Sequence, residues 1–423
     1  MKLKAVIGAG YGDEGKGLMT DYFCKELALQ GNKVLNIKVN GGAQAGHTVC
    51  RLENGYKHWV FRQYGSGTFA GADTCLSETF MLNIEELLKE RKALKEIYNI
   101  ENKVYINKNC RVTLPIHILI NRYVEGVRDR SHKKHGTCGL GIYETFHMNE
   151  DIEDVTLQKV INWFIHHSMN DFVQELNGIS KSYLEYRRSE MYDKDQIRMN
   201  DIEFKNILDK ASRATYELAD YLGDLARAKD IVLINSEDET IKKGKYTAVV
   251  FECAQGLELD MDNKVNYPHL TPSHTGLVSV NQLIKNNEQL NSADRLETCF
   301  VTRSYKTKHG AGLYVEADNT IDKQYSLYDR TNNKNEYQGS IRYGTLAIGK
   351  MKRLMLEQAE WFKQNTDMGL DTSVSVTHLD QTNDGLLTSH GRIEAEDINK
   401  ELFGADKSLY RSYGEKASDI IKD

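Results

Sequence analysis

The sequence predicts an α/β fold: a mostly parallel central sheet flanked by helices, a phosphate-loop-like nucleotide site near the N-terminus, and an inserted helical subdomain. Three observations carry this. A short apolar run ending in Val6-Ile7 leads into Gly-Ala-Gly-Tyr-Gly-Asp-Glu-Gly-Lys-Gly over residues 8–17. A helix-patterned stretch and a second apolar strand, Lys33–Val39, follow, and strand, glycine loop, helix and strand in that order make a βαβ unit with parallel strands. From residue 151 to 230 the chain turns long, charged and helix-patterned, with Phe204, Ile207, Leu208, Ala211, Leu218, Tyr221, Leu222 and Leu225 at helical spacing. We therefore expect one domain over 1–423 with a helical insertion at 151–230.

The opening loop is the chemical centre. Its glycines let the backbone turn tightly and approach a ligand. Gly10, Gly15 and Lys16 fit the phosphate-loop spacing G-x-x-x-x-G-K, while Gly10, Gly12 and Gly15 also satisfy the dinucleotide pattern G-x-G-x-x-G. The glycines alone leave both nucleotide classes open, along with a tight strand-to-helix turn that binds nothing. Lys16 favours the phosphate loop. Gly17 stands where a hydroxyl residue normally holds Mg²⁺.

Composition narrows the function. With 40% hydrophobic residues in 423 the chain can bury a large core, and 55 basic against 61 acidic residues give a net charge of −6. That balance provides no general attraction for nucleic acid or an anionic membrane, and leaves room for a mononucleotide in one local basic pocket. The seven cysteines, at 24, 50, 75, 110, 138, 253 and 299, form no C-x-x-C pair and are odd in number. They point to a reducing compartment and away from structural zinc. There is no signal-peptide pattern and no apolar run of about 18 residues, so a soluble, cytoplasmic protein is expected.

In chain order, Leu18–Leu29 reads as an amphipathic helix, and the second strand runs into Asn40-Gly-Gly-Ala-Gln-Ala-Gly-His-Thr48. Read alone, His47 is a structural or surface histidine. Beside a phosphate loop and at a strand's carboxyl end, it is placed for acid–base work. A turn-rich link over Tyr64–Ala72 precedes a helix at Met81–Leu94, and Val104–Leu114 reads as strand ended by Pro115. The basic residues in 121–135 form either a solvated face or a phosphate-gathering surface, before a third glycine loop, His135-Gly-Thr-Cys-Gly-Leu-Gly-Ile142. Tyr246–Phe251 is a buried strand running into Glu252-Cys-Ala-Gln-Gly-Leu-Glu-Leu-Asp260, and the polar stretch Tyr267–Gly276 follows. Phe300–Thr302 is a strand before Tyr305-Lys-Thr-Lys-His-Gly-Ala-Gly312, and residues 318–340 are a candidate mobile loop. A helix at Thr345–Phe362 and a strand at Val374–Val376 lead to Thr377-His-Leu-Asp380, whose aspartate can accept N1–H and N2–H of guanine or simply cap a turn.

Taken together, Gly-Asp-Glu-Gly-Lys-Gly at 12–17, Ala-Gly-His-Thr at 45–48, Ala-Gln-Gly at 254–256 with Asp260 and Asp262 behind, and Gly-Ala-Gly at 310–312 resemble adenylosuccinate synthetase in kind and order. The resemblance extends through Thr377-His-Leu-Asp380 to Ser412-Tyr-Gly414 and covers essentially the whole chain.

What the resemblance implies is a carbon–nitrogen ligase joining L-aspartate to C6 of IMP, with GTP converted to GDP and phosphate through a 6-phosphoryl intermediate. Asp13 matches the family's general base and His47 its catalytic histidine. Gly12, Glu14, Gly15, Lys16, Gly17 and Thr48 match the triphosphate site, and Mg²⁺ is implied on Asp13 and the Gly46 carbonyl. Gln44, Thr137, Cys138, Gln255 and Thr271 match the purine monophosphate site. Lys306, Lys308 and Arg342 are the candidates for aspartate, and His378, Asp380, Ser412 and Gly414 for the donor's base. A homodimer is implied by the family.

The departures are specific. The family has Asn where Gln44 stands and Thr where Cys138 stands, and its inter-subunit arginine has no counterpart in Tyr143–Asn149. Its arginine cluster is reduced to Arg342 in Gln338-Gly-Ser-Ile-Arg-Tyr-Gly344, and its Thr-Lys-x-Asp guanine motif has become Thr-His-Leu-Asp. These keep open the reaction of phage-type relatives, which aminate dGMP to N6-succino-2-amino-2′-deoxyadenylate with GTP or ATP (or dATP) as donor. Such relatives commonly carry Ser in place of the catalytic Asp; this chain keeps Asp13. A non-catalytic nucleotide-binding protein is the third reading.

Overall fold

The computed structural model describes residues 1–52, 55–131, 133–330, 338–403 and 407–423. Its centre is a ten-stranded sheet built from β1 (Lys2–Gly8), β2 (Val34–Lys38), β3 (Asp73–Leu76), β4 (Val104–Asn107), β5 (Ile231–Ile234), β6 (Ala248–Gly256), β7 (Arg295–Arg303), β8 (Gly369–Thr377), β9 (Leu409–Ser412) and β10 (Ile420–Lys422). They lie in the order β10-β9-β8-β7-β1-β6-β2-β3-β4-β5. Every neighbouring pair is parallel except β9 with β10. A parallel sheet is covered on both faces, which is why Ala5-Val6-Ile7 and Val249-Val250-Phe251 are continuous apolar runs, all fully buried. β1 lies between β6 and β7, so the carboxyl ends of the central strands open into one crevice.

The first helix, α1 (Lys16–Leu29), is not the amphipathic surface helix its pattern suggests. Met19, Phe23, Cys24 and Leu27 pack on the sheet, while Thr20 and Asp21 are buried too. An antiparallel hairpin, His47–Arg51 with Lys57–Phe61, covers the outer side, and Arg51 Nε donates to Asp21 Oδ2 at 2.8 Å. Because both sides are covered, the helix shows no division into apolar and polar faces.

Residues 84–98 form α2 (Ile84–Tyr98), capped by Asn83, which accepts from the Glu86 N–H at 3.1 Å. The expected strand 104–114 is interrupted: the Asn107 side chain and carbonyl accept from Asn109 and Cys110 N–H groups, turning the chain after β4. Pro115 does not merely end a strand. It opens α3 (Pro115–Arg130), where a missing N–H leaves no intrahelical bond unmade.

The region 142–227 contains α4 (Ile142–Asp151), α5 (Leu157–His166), α6 (Met169–Asp195) and α7 (Asp201–Arg227). A capping box starts α7: Asn200 accepts from the Glu203 N–H and Glu203 from the Asn200 N–H, both at 2.9 Å. Leu176, Leu184, Leu218 and Leu222 join the core under α2 and α3.

β6, β7 and β8 extend beyond their apolar cores into polar ends at Gly256, Arg303 and Thr377. Residues 318–340 were expected as a mobile loop. Ile321–Gln324 forms a short helix there, and Asp329 makes a buried ion pair with Arg303; the rest of that expectation, at 331–337, lies outside the described residues. The Thr345–Phe362 expectation corresponds to α8 (Ile348–Asn365). Among the described residues no helix is long and apolar enough to cross a membrane, and the seven cysteines are free.

Candidate active site

The loop after β1 is organised by Glu14. Its Oε1 accepts the N–H groups of Gly10 at 3.0 Å and Gly12 at 2.7 Å, and its Oε2 pairs with Lys16 Nζ at 2.6 Å. The Glu14 side chain is thus turned inward and held within the loop. Gly15 has φ +96°, and a Cβ there would meet Thr377 Cγ2 at 3.0 Å. Thr377 Oγ1 in turn donates to the Glu14 carbonyl at 2.8 Å, tying the end of β8 to the loop.

Gly17 has its own steric reason. A Cβ there would lie 2.8 Å from His47 Cβ and 3.0 Å from the Thr48 carbonyl. The hairpin that carries His47 and Thr48 therefore sits directly on the first turn of α1, leaving no room for a serine or threonine.

His47 is held from behind by Glu252, the acid that follows the apolar part of β6. Its Nδ1 bonds to Glu252 Oε1, while Ser66 donates to Glu252 through its N–H at 2.9 Å and its hydroxyl at 2.6 Å. Burial pushes the Glu252 carboxyl up, but Lys38 at 3.6 Å, His47 and Ser66 outweigh it and hold the group well below the usual carboxylate range. Burial pushes the His47 imidazole below its ordinary value. With Nδ1 donating to Glu252, Nε2 becomes a donor only when the ring is doubly protonated.

The β1–β6 register shifts between Val6↔Glu252 and Gly8↔Gly256, a bulge that leaves Gln255 at φ +64°. Bulges re-aim side chains, and this one sets Gln255 Oε1 within 3.5 Å of the Cβ position of Gly12. Asn40 clamps the same segment: its Oδ1 accepts from the Ala254 N–H at 2.7 Å, and its Nδ2 donates to Ser273 Oγ at 3.2 Å. Next to it, both amide atoms of Gln44 are buried without a hydrogen-bond partner among the described residues.

Three further loops close on this crevice. Thr137 Oγ1 donates to Asn121 at 3.3 Å, and Cys138 beside it is a neutral thiol that burial pushes up to about 11. The Ala311 N–H donates to the His135 carbonyl at 3.1 Å, and a Cβ on Gly136 would strike Gly310 Cα at 2.5 Å, so the two glycine loops touch backbone to backbone. Thr271 is fixed by its N–H on the Leu259 carbonyl at 2.9 Å. Asp260, Asp262 and His274 lie close together, but Asp260 is engaged by the Thr275 N–H at 2.7 Å and serves to latch this loop.

The candidate amino-acid residues differ from one another. Lys306 is buried and paired with both Glu258 and Glu316. Lys308, opposite Arg342 in an antiparallel pair, has no carboxylate among the described residues and donates to the carbonyls of Ala311 at 3.0 Å and Leu313 at 3.2 Å. Burial, with Arg342 and the neighbouring lysines, pushes its ammonium down to about 8. Arg342 donates to the Gly310 carbonyl at 2.7 Å.

At the other end, Asp380 lines an open cavity of about 440 Å³ with Tyr325, Tyr328, Gln381 and Asn383. Tyr413 OH donates to Asp384 at 2.7 Å, which brings the Ser412–Gly414 turn to this side. His378 packs its ring edge-on against Tyr305, centroids 5.8 Å apart.

Residues 5–381 match the family model of adenylosuccinate synthetase. The chain belongs to this family. The adenylosuccinate synthetase of Lactobacillus acidophilus is 27% identical over 322 residues, 74% of this chain and 65% of that protein. The one from Thermoplasma acidophilum is 27% identical over 329 residues, 76% of this chain and 66% of its own length. The chain thus spans just under two thirds of these relatives. A fully ligated adenylosuccinate synthetase from Plasmodium falciparum shares the fold at TM-score 0.66 and 17% identity, with both chains wholly covered. A cyanophage S-2L succinoaminodeoxyadenylate synthetase bound to dGMP and dATP does so at 0.62 and 14%, covering 99% and 95%.

Within this adenylosuccinate synthetase fold, sequence reading missed four residues. Asn40, Glu252 and His309 were quoted in loops without a role, and Arg303, one residue past the expected strand Phe300–Thr302, was not singled out. Arg303 Nε donates to the Asp13 carbonyl and its other end pairs with Asp329, fixing the backbone of Asp13 at φ +60°. The available signal was a polar residue at the end of an apolar strand, which marks Asn40, Glu252 and Arg303 alike.

Proposed function

We propose that the chain is a ligase that condenses L-aspartate with C6 of a 6-oxopurine nucleoside monophosphate, IMP, driven by conversion of GTP to GDP and phosphate. One observation carries this reading. The Asp13 carboxylate stands in the glycine loop with no hydrogen bond to any described residue, and the hairpin packed on the first turn of α1 carries His47, a histidine held by a buried acid. A plain nucleotide binder has no use for that pair.

The C6 oxygen is a poor leaving group and must first become a phosphate ester. Asp13 takes the proton from purine N1, and the charge pushed onto O6 attacks the γ-phosphorus. His47, oriented by Glu252, donates to the transferring group as its charge develops. Gln255 faces the purine edge beside Gly12, and Gln44, whose buried amide lacks a partner among the described residues, serves the monophosphate with Thr137, Cys138 and Thr271. The amine of aspartate then displaces phosphate from C6. Lys308 and Arg342 are the cations for its carboxylates, since Lys306 is neutralised by two glutamates.

The Asp13 carboxylate and Gly46 carbonyl are hard oxygen donors of the class Mg²⁺ takes alongside substrate phosphates. When bound, that ion neutralises phosphate charge, and its ligand on Asp13 replaces the hydroxyl for which position 17 has no space. Asp380 with its turn receives the donor's base. We place the enzyme in the cytoplasm as a homodimer.

A second acceptor, dGMP, is supported by the altered monophosphate pocket at Gln44 and Cys138, and by the shared fold with a synthetase bound to dGMP and dATP. The test is phosphate release with IMP or dGMP against GTP or ATP, with and without L-aspartate. The proposal expects release that depends on aspartate and is fastest with IMP and GTP. Faster release with dGMP selects the second acceptor, release that ignores aspartate marks a plain NTPase, and none with any pair marks a binder.

A further inference from the structure

The loop from Lys308 to Gly312 carries a histidine that no role above uses. Gly310 at φ +71° and Gly312 at φ +86° fold this loop back against Gly136 and His269. That turn drives His309 inward, leaving 9% of its side chain exposed. Neither ring nitrogen has a hydrogen-bond partner among the described residues, although both are buried. Nε2 lies 3.5 Å from Asp13 Oδ2, just beyond a good hydrogen bond.

A buried imidazole with both nitrogens unpaired is costly and rare in a folded protein, since each polar group hidden from water needs a partner. The same geometry leaves the other side of the contact incomplete. Arg303 fixes the backbone of Asp13 through its carbonyl, but the carboxylate still turns about two side-chain torsions. A general base works only when its lone pair is aimed at the proton it removes, and an error of about 1 Å costs on the order of a hundredfold in rate.

We propose that His309 is a positioning residue for Asp13: its Nε2–H donates to the carboxylate and aims the free oxygen at purine N1. A shift of a few tenths of an ångström closes the bond, satisfying the histidine and removing one torsional freedom of the base. His309 touches neither bond that forms nor bond that breaks, so it acts on the rate of the first step and little on affinity. This rests on the proposed ligase reading, in which Asp13 is the base.

Three variants test it: His309→Ala, His309→Gln, which keeps an N–H near the place of Nε2, and His309→Asn, which places one near Nδ1 instead. With the fastest acceptor and donor, His309→Ala is expected to lower kcat about 10–100-fold, the usual range for a group that orients a reacting ligand. KM for acceptor, donor and aspartate is expected to stay within about threefold, and His309→Gln to run about tenfold faster than His309→Asn. The Gln and Asn pair keeps the test valid if His309→Ala does not fold. Equal rates for those two, or His309→Ala within about twofold of the unaltered chain, overturn the proposal and leave the ligase reading standing. If the unaltered chain shows no aspartate-dependent turnover, that reading fails and takes this inference with it.

Discussion

Glu144 in the helical region and Asp13 at the strand ends are both carboxylates in crowded surroundings, and the fold provides for them in opposite ways. Glu144, on α4, is buried and accepts from Arg187 Nε at 2.8 Å, Arg187 Nη2 at 3.0 Å and Tyr183 OH at 2.6 Å, three donors from α6. Asp13 has 30% of its side chain exposed and no hydrogen bond on its carboxylate among the described residues. A charge that is fully paired fixes how helices pack. A charge left open beside a phosphate loop is available for a proton or a metal ion. The same contrast recurs nearby, because Lys306 is consumed by Glu258 and Glu316 whereas Lys308 has no paired carboxylate among the described residues, donating to two carbonyls and lying over the Tyr11 ring.

The sharpest way to break this comparison is to neutralise each side in turn. Asp13→Asn is expected to lower aspartate-dependent phosphate release about 10²–10⁴-fold, the range for a lost general base, with thermal stability nearly unchanged. Arg187→Ala is expected to do the reverse. It strands a buried carboxylate, costing about 3–5 kcal/mol in denaturant unfolding, while kcat per folded molecule stays near normal. Stability loss in the first or a large loss of kcat in the second erases the distinction.

A smaller effect sharpens it at the amino-acid end. Lys308→Ala is expected to raise KM for aspartate about 10–100-fold, as expected for a lost charge-assisted hydrogen bond of about 1.5–3 kcal/mol. Its ammonium is pushed down to about 8, so the charge is present below that value and lost above it. KM for aspartate should therefore rise as pH increases through 8 in the unaltered chain and stay flat in Lys308→Ala. A Lys308→Ala chain with unchanged KM would show that this lysine serves the loop alone.

Much of the fold was readable because its signals are local. The apolar run before Gly8 and the glycines after it lie within one short stretch, and the β-strands with polar ends follow the same pattern. Helix α1 was misjudged because its outer cover, the hairpin at 47–61, is folded back by contacts that no periodicity records. The candidate site residues and the roles expected of them came from motifs and the resemblance they carry, but the contacts that orient those residues did not. Glu252 meets His47 across 205 residues, and Arg303 meets Asp13 across 290, so neither role can be read from spacing. Gly17 looked like a lost metal ligand, and only the packing of His47 and Thr48 on α1 supplies its reason. His309 was hidden for the same cause: it joins Asp13 through a turn whose direction is set by contacts with Gly136 and His269.

The most direct measurement follows an oxygen atom. With the acceptor nucleotide labelled with ¹⁸O at C6, a single round of turnover with aspartate and triphosphate should release inorganic phosphate carrying that label, one atom for each amination. Phosphate free of label, with the ¹⁸O kept on the purine or passed to water, would contradict activation of the carbonyl oxygen by the carboxylate at position 13.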